Sequence, residues 1–425
     1  MDLIKNLFKG DKVIWIIYFV LCMISIIEVF SASSTLTYKS GDHWRPITMH
    51  IVLLTVGTII VLIVHNIPCK RFKLFAGLLP FSWLALIGVL INGALTNGAK
   101  RWIDLGFFQF QPSEVAKMCT LISVAYILSK AQEEESANPK AFKQILIVTG
   151  ITIMLIISEN LSTALLLASS VFLLMFVGRI PLKQMLMLTV AGISFLVVAF
   201  ATIKFIPTSA WDAVGLDRMS TWQNRINDHF KKEDVPAAKF DINNDAQVAH
   251  ANIAIASSNI IGKGPGNSVQ RDFLSQAFSD FIYAIIIEEM GLIGGAVVVI
   301  LYLLLLIRVA KIARNCDRSY YVFLITGFAI LISLQAMFNM LVAVGIIPVT
   351  GQPLPLISKG GTSTLVNCVY IGIILSISKH VNELKKKEQE EEAQKQLEIQ
   401  QAAEQIIKYA QDMATSSNSI SKDKN

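Results

Sequence analysis

The residue whose type and place most demand a chemical explanation is Asp280. It stands in Ser279-Asp280-Phe281-Ile282-Tyr283-Ala284 and opens a long apolar run that continues through Glu288, Glu289, Gly291 and Gly294. An acid at or inside an apolar span is costly, and function is its default explanation. Such a carboxylate can serve as a general base, and partial burial is the physical means of tuning it for that task. Cations suited to a phosphate collect in other stretches: Lys100 and Arg101 before Trp102, Lys263 within Gly262-Lys263-Gly264-Pro265-Gly266, and Lys359 after Ser358. Trp102 suits a headgroup interface or a sugar ring. Glu114 and Lys117, three apart behind Pro112 at a helix start, share a face and can pair. Glu288 and Glu289 lie about 12 Å beyond Asp280 on a continuous helix, too deep to serve the same atom, and read as buried partners of cations or amides. The glycine stretch around Lys263 is either a connector or a set of backbone amides approaching an anion. It is not a nucleotide loop, since no strand precedes it and no Gly-Lys-Ser/Thr follows. No Ser-His or Cys-His nucleophile set is evident, and Cys22, Cys69, Cys119, Cys316 and Cys368 lack metal spacing and suggest no disulfide framework.

The elements that must position these residues are membrane spans. The chain has 425 residues, 53% hydrophobic and 16% charged, with a mean hydropathy of +0.56. A soluble domain carries about a quarter charged residues. The deficit and the long apolar runs predict an all-α polytopic membrane protein. Runs of spanning length start near 13, 48, 72, 113, 144, 161, 184, 281, 319 and 362, which gives about ten transmembrane helices with a long extracytoplasmic loop, 206–279, between helices 7 and 8. The net charge of +6 is scattered between apolar runs and is no nucleic-acid signal. Basic residues concentrate in alternate short loops (Lys70, Arg71, Lys73; Lys130, Lys140, Lys143; Arg179, Lys183; Arg308, Lys311, Arg314, Arg318). That asymmetry predicts both termini inside and Asp280 outside. Residues 1–12 form a cytoplasmic start, followed by an uncleaved first span, and 13–382 the membrane domain. Residues 383–425 form a charged tail, helical to about Met413 and disordered from Thr415. Lysines beside the last span can touch anionic lipid.

Four polar stretches face outward. They are Asn97-Gly98 through Lys117; Ala254-Ile255 through Gly266; Ser279 through Glu289; and Pro348 through Ser363, whose prolines and glycines forbid a regular helix and predict a segment re-entering the protein body. Gln335 and Asn339, four apart on one helix, are expected to bond neighbouring elements. A break at Glu159-Asn160-Leu161-Ser162-Thr163 is expected to be satisfied by its own polar side chains. Taken in this order over about residues 12 to 382, the stretches resemble the SEDS family, which includes FtsW, RodA and SpoVE. The opening Lys9 to Trp15 and Phe30 to Ser34 look more like the FtsW branch. The chain departs from the family pattern at Glu159-Asn160, at Ala246 to Ala251, at Ser258-Asn259, and at Lys359, where the family usually has tyrosine.

The resemblance implies a peptidoglycan glycosyltransferase of the bacterial plasma (inner) membrane that polymerises lipid II at the division septum. It implies a class B penicillin-binding protein transpeptidase as partner, with other divisome proteins. The carried-over residues are Asp280 as the catalytic aspartate, and Arg101, Trp102, Glu114 and Lys117. In such a reaction the acceptor 4-hydroxyl displaces a lipid diphosphate in line, inverting α to β. It needs a base, for which Asp280 is the candidate. It also needs positive charge on the diphosphate, for which Lys100, Arg101, Lys263 and Lys359 are candidates; a divalent cation such as Mg or Mn can share that task. The competing readings are a lipid II flippase, a non-enzymatic division scaffold, and an elongation rather than a division role. Against a flippase stand the absence of an inverted hydropathy repeat and the gathering of polar motifs on one membrane side.

Overall fold

The computed structural model describes residues 8–32, 44–92, 94–96, 99–104, 109–134, 136–158, 160–205, 223, 246–274 and 277–422. The side chains at 45, 92–100, 199–200, 203–205, 246 and 406–422 lie outside the description. The apolar runs form helices α1 (Lys12–Ala32), α2 (Arg45–His65), α3 (Leu79–Asn92, entered through a 3-10 segment Cys69–Leu78), α4 (Pro112–Lys130), α5 (Pro139–Ile157), α6 (Leu161–Val177) and α7 (Leu182–Phe205). After the long loop come α8 (Ala246–Ser257), α9 (Ile282–Ala313), α10 (Ser319–Ala343) and α11 (Thr362–Lys422). Seven of these are long and apolar enough to cross a membrane unaided. The remaining three of the ten expected spans are α6 and α7, which have shorter apolar stretches, and α4, which carries the charged Glu114 and Lys117. The protein is a polytopic membrane protein.

Local chemistry explains the ends. Asn138 caps α5, its side chain accepting from Lys140 N, with Pro139 in the first turn. Asn160 caps α6 by accepting from Thr163 N at 3.1 Å, so the polar break does satisfy freed backbone, while Glu159 lies outside the described residues. Asp11 accepts from Val13 N and Ile14 N at 2.9 and 3.2 Å, capping α1. Its other oxygen takes Arg308 Nε at 2.8 Å, which fastens α1 to the far end of α9. The five cysteines are free thiols, four buried and Cys316 half-buried.

Two features differ from the all-helical expectation. Residues 94–110 form a small three-stranded sheet of β1 (Ala94–Thr96), β2 (Ala99–Asp104) and β3 (Gln109–Phe110) in the order β1-β2-β3. The strands pair antiparallel, with Ala94 opposite Trp102 and Ile103 opposite Phe110. And α11 runs on as one helix past Met413 to Lys422, because no Gly or Pro occurs in it beyond Gly372 and pairs such as Lys386 with Glu390 at 3.5 Å lie along its surface.

α9 is not a straight rod. Gly291 takes φ +71° inside it, and there the backbone of 259–264 bonds into the opened helix. Lys263 N and Gly264 N donate to Glu288 O and Glu289 O at 3.0 and 2.8 Å, while Leu292 N and Ile293 N donate to Asn259 O and Ile260 O at 3.3 Å each. A loop inserted into the helix ladder is the cause of the kink. A Cβ on Gly291 would fall 2.2 Å from Ile260 O and 2.5 Å from Gly262 N. We expect Gly291→Ala to destabilise the protein by roughly 1–3 kcal/mol. Gly88→Ala on α3, where an added Cβ meets nothing within 4 Å, serves as the neutral control. Thermal unfolding of both variants in detergent measures the difference.

Candidate active site

Asp280 sits half-buried in the turn just before α9, with Phe281 fully buried behind it. Because the helix begins at Ile282, helical-wheel reckoning from Asp280 to the two glutamates does not apply. Ser279 Oγ donates to Asp280 Oδ1 at 3.0 Å. The other oxygen faces the backbone of Gly351, whose added Cβ would lie 3.9 Å from Oδ2. Gly351 has φ +68°, so the turn brings bare backbone up to the carboxylate where a side chain would be strained.

The expected re-entrant segment, 345–361, is irregular and fixed by side chains from all sides. Asn339 Nδ2 donates both to Asp280 O at 3.1 Å and to Gln352 O at 2.8 Å. Gln335 Nε2 donates to Pro353 O at 2.9 Å. Gln352 Nε2 reaches Thr163 Oγ1 at the head of α6, 2.8 Å away. Ser25 Oγ on α1 donates to Ile357 O at 2.6 Å, and the Tyr302 hydroxyl on α9 donates to Pro355 O. Ser358 is buried; its Oγ accepts from Leu354 N at 2.8 Å and donates to Ser279 O at 2.6 Å. Lys359 N donates to Phe278 O at 3.0 Å. Lys359 is half-buried, with Nζ 5.6 Å from the Phe278 ring centroid. Burial pulls its ammonium below the ordinary lysine value. The turn bearing Asp280 and the segment bearing Ser358 and Lys359 are therefore one unit.

The sheet joins this unit from another side. Thr362 Oγ1 donates to Gln109 O at 2.8 Å and accepts from Gln111 N at 3.2 Å. Arg101 and Trp102 are half-buried on β2. Arg101 lines a cavity of about 20 Å³ with Ser113 and Asn160, room for about one water. The backbone of Lys100 lies in β2, and its side chain is outside the described residues.

Three expected ligands serve as internal partners. Glu114 and Lys117 form a buried ion pair at 2.9 Å, and Lys117 makes no hydrogen bond among the described residues. Lys263, read as a cation for an external diphosphate, instead has its charge committed: its Nζ lies 2.6 Å from Glu288 Oε1 and 3.0 Å from Ser257 Oγ. The glycine stretch does present amides to an anion, but the anion is the protein's own. Gly266 N and Ser268 N donate to Glu289 at 2.8 and 3.2 Å, and Val269 N and Gln270 N donate to Glu288 at 3.2 and 3.3 Å. Arg271 stands 3.8 Å from Glu289, and Ser31 Oγ also donates to it. Sequence reasoning missed Arg271, Ser31, Ser25 and Tyr302, whose partners lie far away in the chain. The adjacency of Ser279 to Asp280 was the one visible signal for its hydrogen bond. Among the described residues no group of three or more His, Cys, Asp or Glu could hold a metal ion. No step is assigned to a metal ion.

Chemically, the unit offers one carboxylate oriented by a hydroxyl, a cation beside it, and an indole-bearing strand nearby. The buried pair on α4 allows a direct energetic test. Lys117→Met leaves Glu114 as an unpaired buried charge, and we expect a loss of about 3–5 kcal/mol. The double variant Glu114→Gln with Lys117→Met is expected to recover most of it. Denaturant unfolding in detergent reads both, and equal losses in the two would show that the pair does not matter.

Comparison with known proteins follows the geometry. The FtsW/RodA/SpoVE family model, described as cell cycle protein, matches residues 11–383. A probable peptidoglycan glycosyltransferase FtsW of Coxiella burnetii is 29% identical over 377 residues, covering 86% of this chain and 95% of the relative. Stage V sporulation protein E of Bacillus subtilis is 27% identical over 378 residues, covering 87% and 97%. Among solved structures, a chain of a peptidoglycan synthase complex, described as coordinating polymerization and crosslinking, aligns with TM-score 0.69 at 24% identity over 88% of this chain and 98% of its own. The rod shape determining protein RodA of Thermus thermophilus aligns with TM-score 0.60 at 24% identity, covering 88% and 98%. These two show the likeness of fold.

Proposed function

Because this chain belongs to the FtsW/RodA/SpoVE family of cell cycle proteins, we propose that it is a peptidoglycan glycosyltransferase polymerising lipid II, with Asp280 as its base. The names of its relatives support the activity. The single observation that carries the assignment of Asp280 is its setting. Its carboxylate accepts from Ser279, and its other oxygen lies toward the bare backbone of Gly351, in a turn pinned by Asn339 and Ser358. A rigidly placed carboxylate approached by glycine leaves space for a sugar hydroxyl.

In the reaction the acceptor 4-hydroxyl gives its proton to Asp280 as its oxygen bonds to the donor's anomeric carbon. The bond from that carbon to the lipid diphosphate breaks with inversion, and the diphosphate leaves with the electron pair. Lys359, joined to the Asp280 turn through Phe278, is assigned to the leaving diphosphate, with Lys100 and Arg101 on β2 as further cations. Trp102 is assigned to a sugar face or the headgroup interface. Glu114, Lys117 and Lys263 shape the site through ion pairs, and Ser358 through its hydrogen bonds.

The orientation we propose puts Asp280 outside the plasma membrane and both termini in the cytoplasm, as the distribution of basic loops requires. The FtsW-named relatives favour action at the division septum over elongation. A class B penicillin-binding protein transpeptidase is the proposed partner, in keeping with the complex whose chain shares this fold.

The test is a polymerisation assay with purified protein, transpeptidase and lipid II, products resolved as glycan strands on a gel. Asp280→Asn is expected to abolish polymer, a loss of about 10²-fold or more; polymer surviving the substitution would remove Asp280 as base. Lys359 gives a pH signature. Its ammonium, pulled below the ordinary lysine value by burial, is lost as pH rises through that lowered value. We expect activity to fall on the alkaline side for this reason, and Lys359→Arg, charged to above about pH 12, to extend activity upward. Identical alkaline limbs in the two proteins would count against Lys359.

A further inference from the structure

At the opposite end of α4 from the Asp280 unit lies a second cavity. Pro112 starts α4 beside Gln111, which is bonded to Thr362 at the site. The helix ends at Lys130, and its 19 residues carry the chain about 28 Å, to the other face of the membrane. There a cavity of about 420 Å³ opens between the end of α4 and the start of α5, lined by Tyr126, Lys130, Asn138, Lys140 and Gln144 with small apolar neighbours. Lys130 Nζ stands 4.7 Å over the Tyr126 ring, and Tyr320 braces that ring edge-on at 6.3 Å. Lys73 is within electrostatic reach of the Tyr126 hydroxyl. Glu133, in the loop between α4 and α5, accepts from Asn138 Nδ2 at 2.8 Å. The first turn of α5 adds its positive dipole end.

Two lysines and a phenol line the cavity, and no ion pair of Lys130 or Lys140 with a carboxylate occurs among the described residues. What sets this pocket apart from a phosphate site in water is the helix that leads out of it. Lys140, Gln144, Ile147, Ile151 and Met154 are all exposed and follow one another at four- and three-residue steps. They form a single stripe down α5 that turns from polar to apolar, with Ile147 51%, Ile151 40% and Met154 75% exposed. Gly150 beside the stripe has open space where a side chain would be.

We infer that this is a binding site for an anionic phospholipid of the inner leaflet. Its phosphate lies among Lys130, Lys140 and the Tyr126 hydroxyl, and an acyl chain lies along Ile147, Ile151 and Met154. A basic pocket between membrane helices on the cytoplasmic side matches a charged headgroup, and its two lysines favour a net-negative lipid over a zwitterionic one.

The full chain in detergent, titrated with dioleoyl phosphatidylglycerol or dioleoyl phosphatidylcholine and read by native mass spectrometry, tests this. The wild type is expected to retain the anionic lipid in preference. The double variant Lys130→Gln, Lys140→Gln is expected to lose about tenfold or more of that affinity. The tail variant Lys386→Gln, Lys387→Gln, which removes equal charge elsewhere, is expected to keep it. Equal loss in both variants, or equal retention of the two lipids by the wild type, overturns the site. Dihexanoyl phosphatidylglycerol, with chains too short to follow the stripe, is expected to bind more weakly. If it binds as well, or if inorganic phosphate displaces the lipid at matched concentration, the pocket is a phosphate site and the lipid assignment fails. All four lysines are exposed, so the variants fold, and their unfolding curves verify it.

Discussion

Two adjacent carboxylates inside a membrane helix impose the constraint on which much of the structure depends. Glu288 and Glu289 are fully buried, and a buried carboxylate without hydrogen bonds costs several kcal/mol. The chain meets that cost with backbone. Gly266, Ser268, Val269 and Gln270 turn their amides onto the two side chains, and Lys263 and Arg271 supply the opposite charges. For the loop to come that close, α9 must open at Gly291 and accept the loop backbone into its ladder. Residues 259–270 are thereby tied down shortly before the turn that carries Asp280. The glutamates are remote from the chemistry in kind, yet they fix where the chain enters the site.

The re-entrant segment obeys the same rule in the other direction. Irregular backbone at membrane depth leaves carbonyls that water cannot reach. Here four of them are met by particular side chains: Ser25 for Ile357, Gln335 for Pro353, Asn339 for Gln352, Tyr302 for Pro355. Four donors on three helices thus hold one segment, and Asn339 bonds the Asp280 carbonyl with the same amide group. Satisfying the backbone and placing the Asp280 carboxylate are a single structural act.

How far the sequence revealed this depends on the range of each interaction. Apolar runs are local, and every one of the ten forms a helix near its expected start. Caps are local too, and Asn160 does what its position announces. The small sheet from Ala94 to Phe110 escaped notice because its strands are short and one of them carries Lys100 and Arg101. The role of the glycine stretch was half legible. Amides approaching an anion follow from composition, but the identity of that anion depends on a contact between residues about twenty apart. Gln335 and Asn339 were visibly amides on one face; that they bond a re-entrant segment, not another helix, required the tertiary fold.

Charge in this protein has to be read by partner before it is read by ligand. Lys117, Lys263, Arg271 and Arg308 are each close to an internal carboxylate, and their charge is spent on keeping acids inside the fold. A cation so paired offers little field to an incoming phosphate, since the pair is nearly neutral at a distance. Sequence position alone had grouped Lys263 with Lys359, because both stand in outward glycine-rich stretches. The structure separates them: Lys263 balances Glu288, while Lys359 is half-buried over a phenyl ring beside the Asp280 turn. The same distinction applies on the opposite face, where Lys130 rests on an aromatic ring and not on an acid. Cations held by aromatic faces keep their net charge and are positioned without being neutralised. Lys359 over Phe278 and Lys130 over Tyr126 are both held in this way.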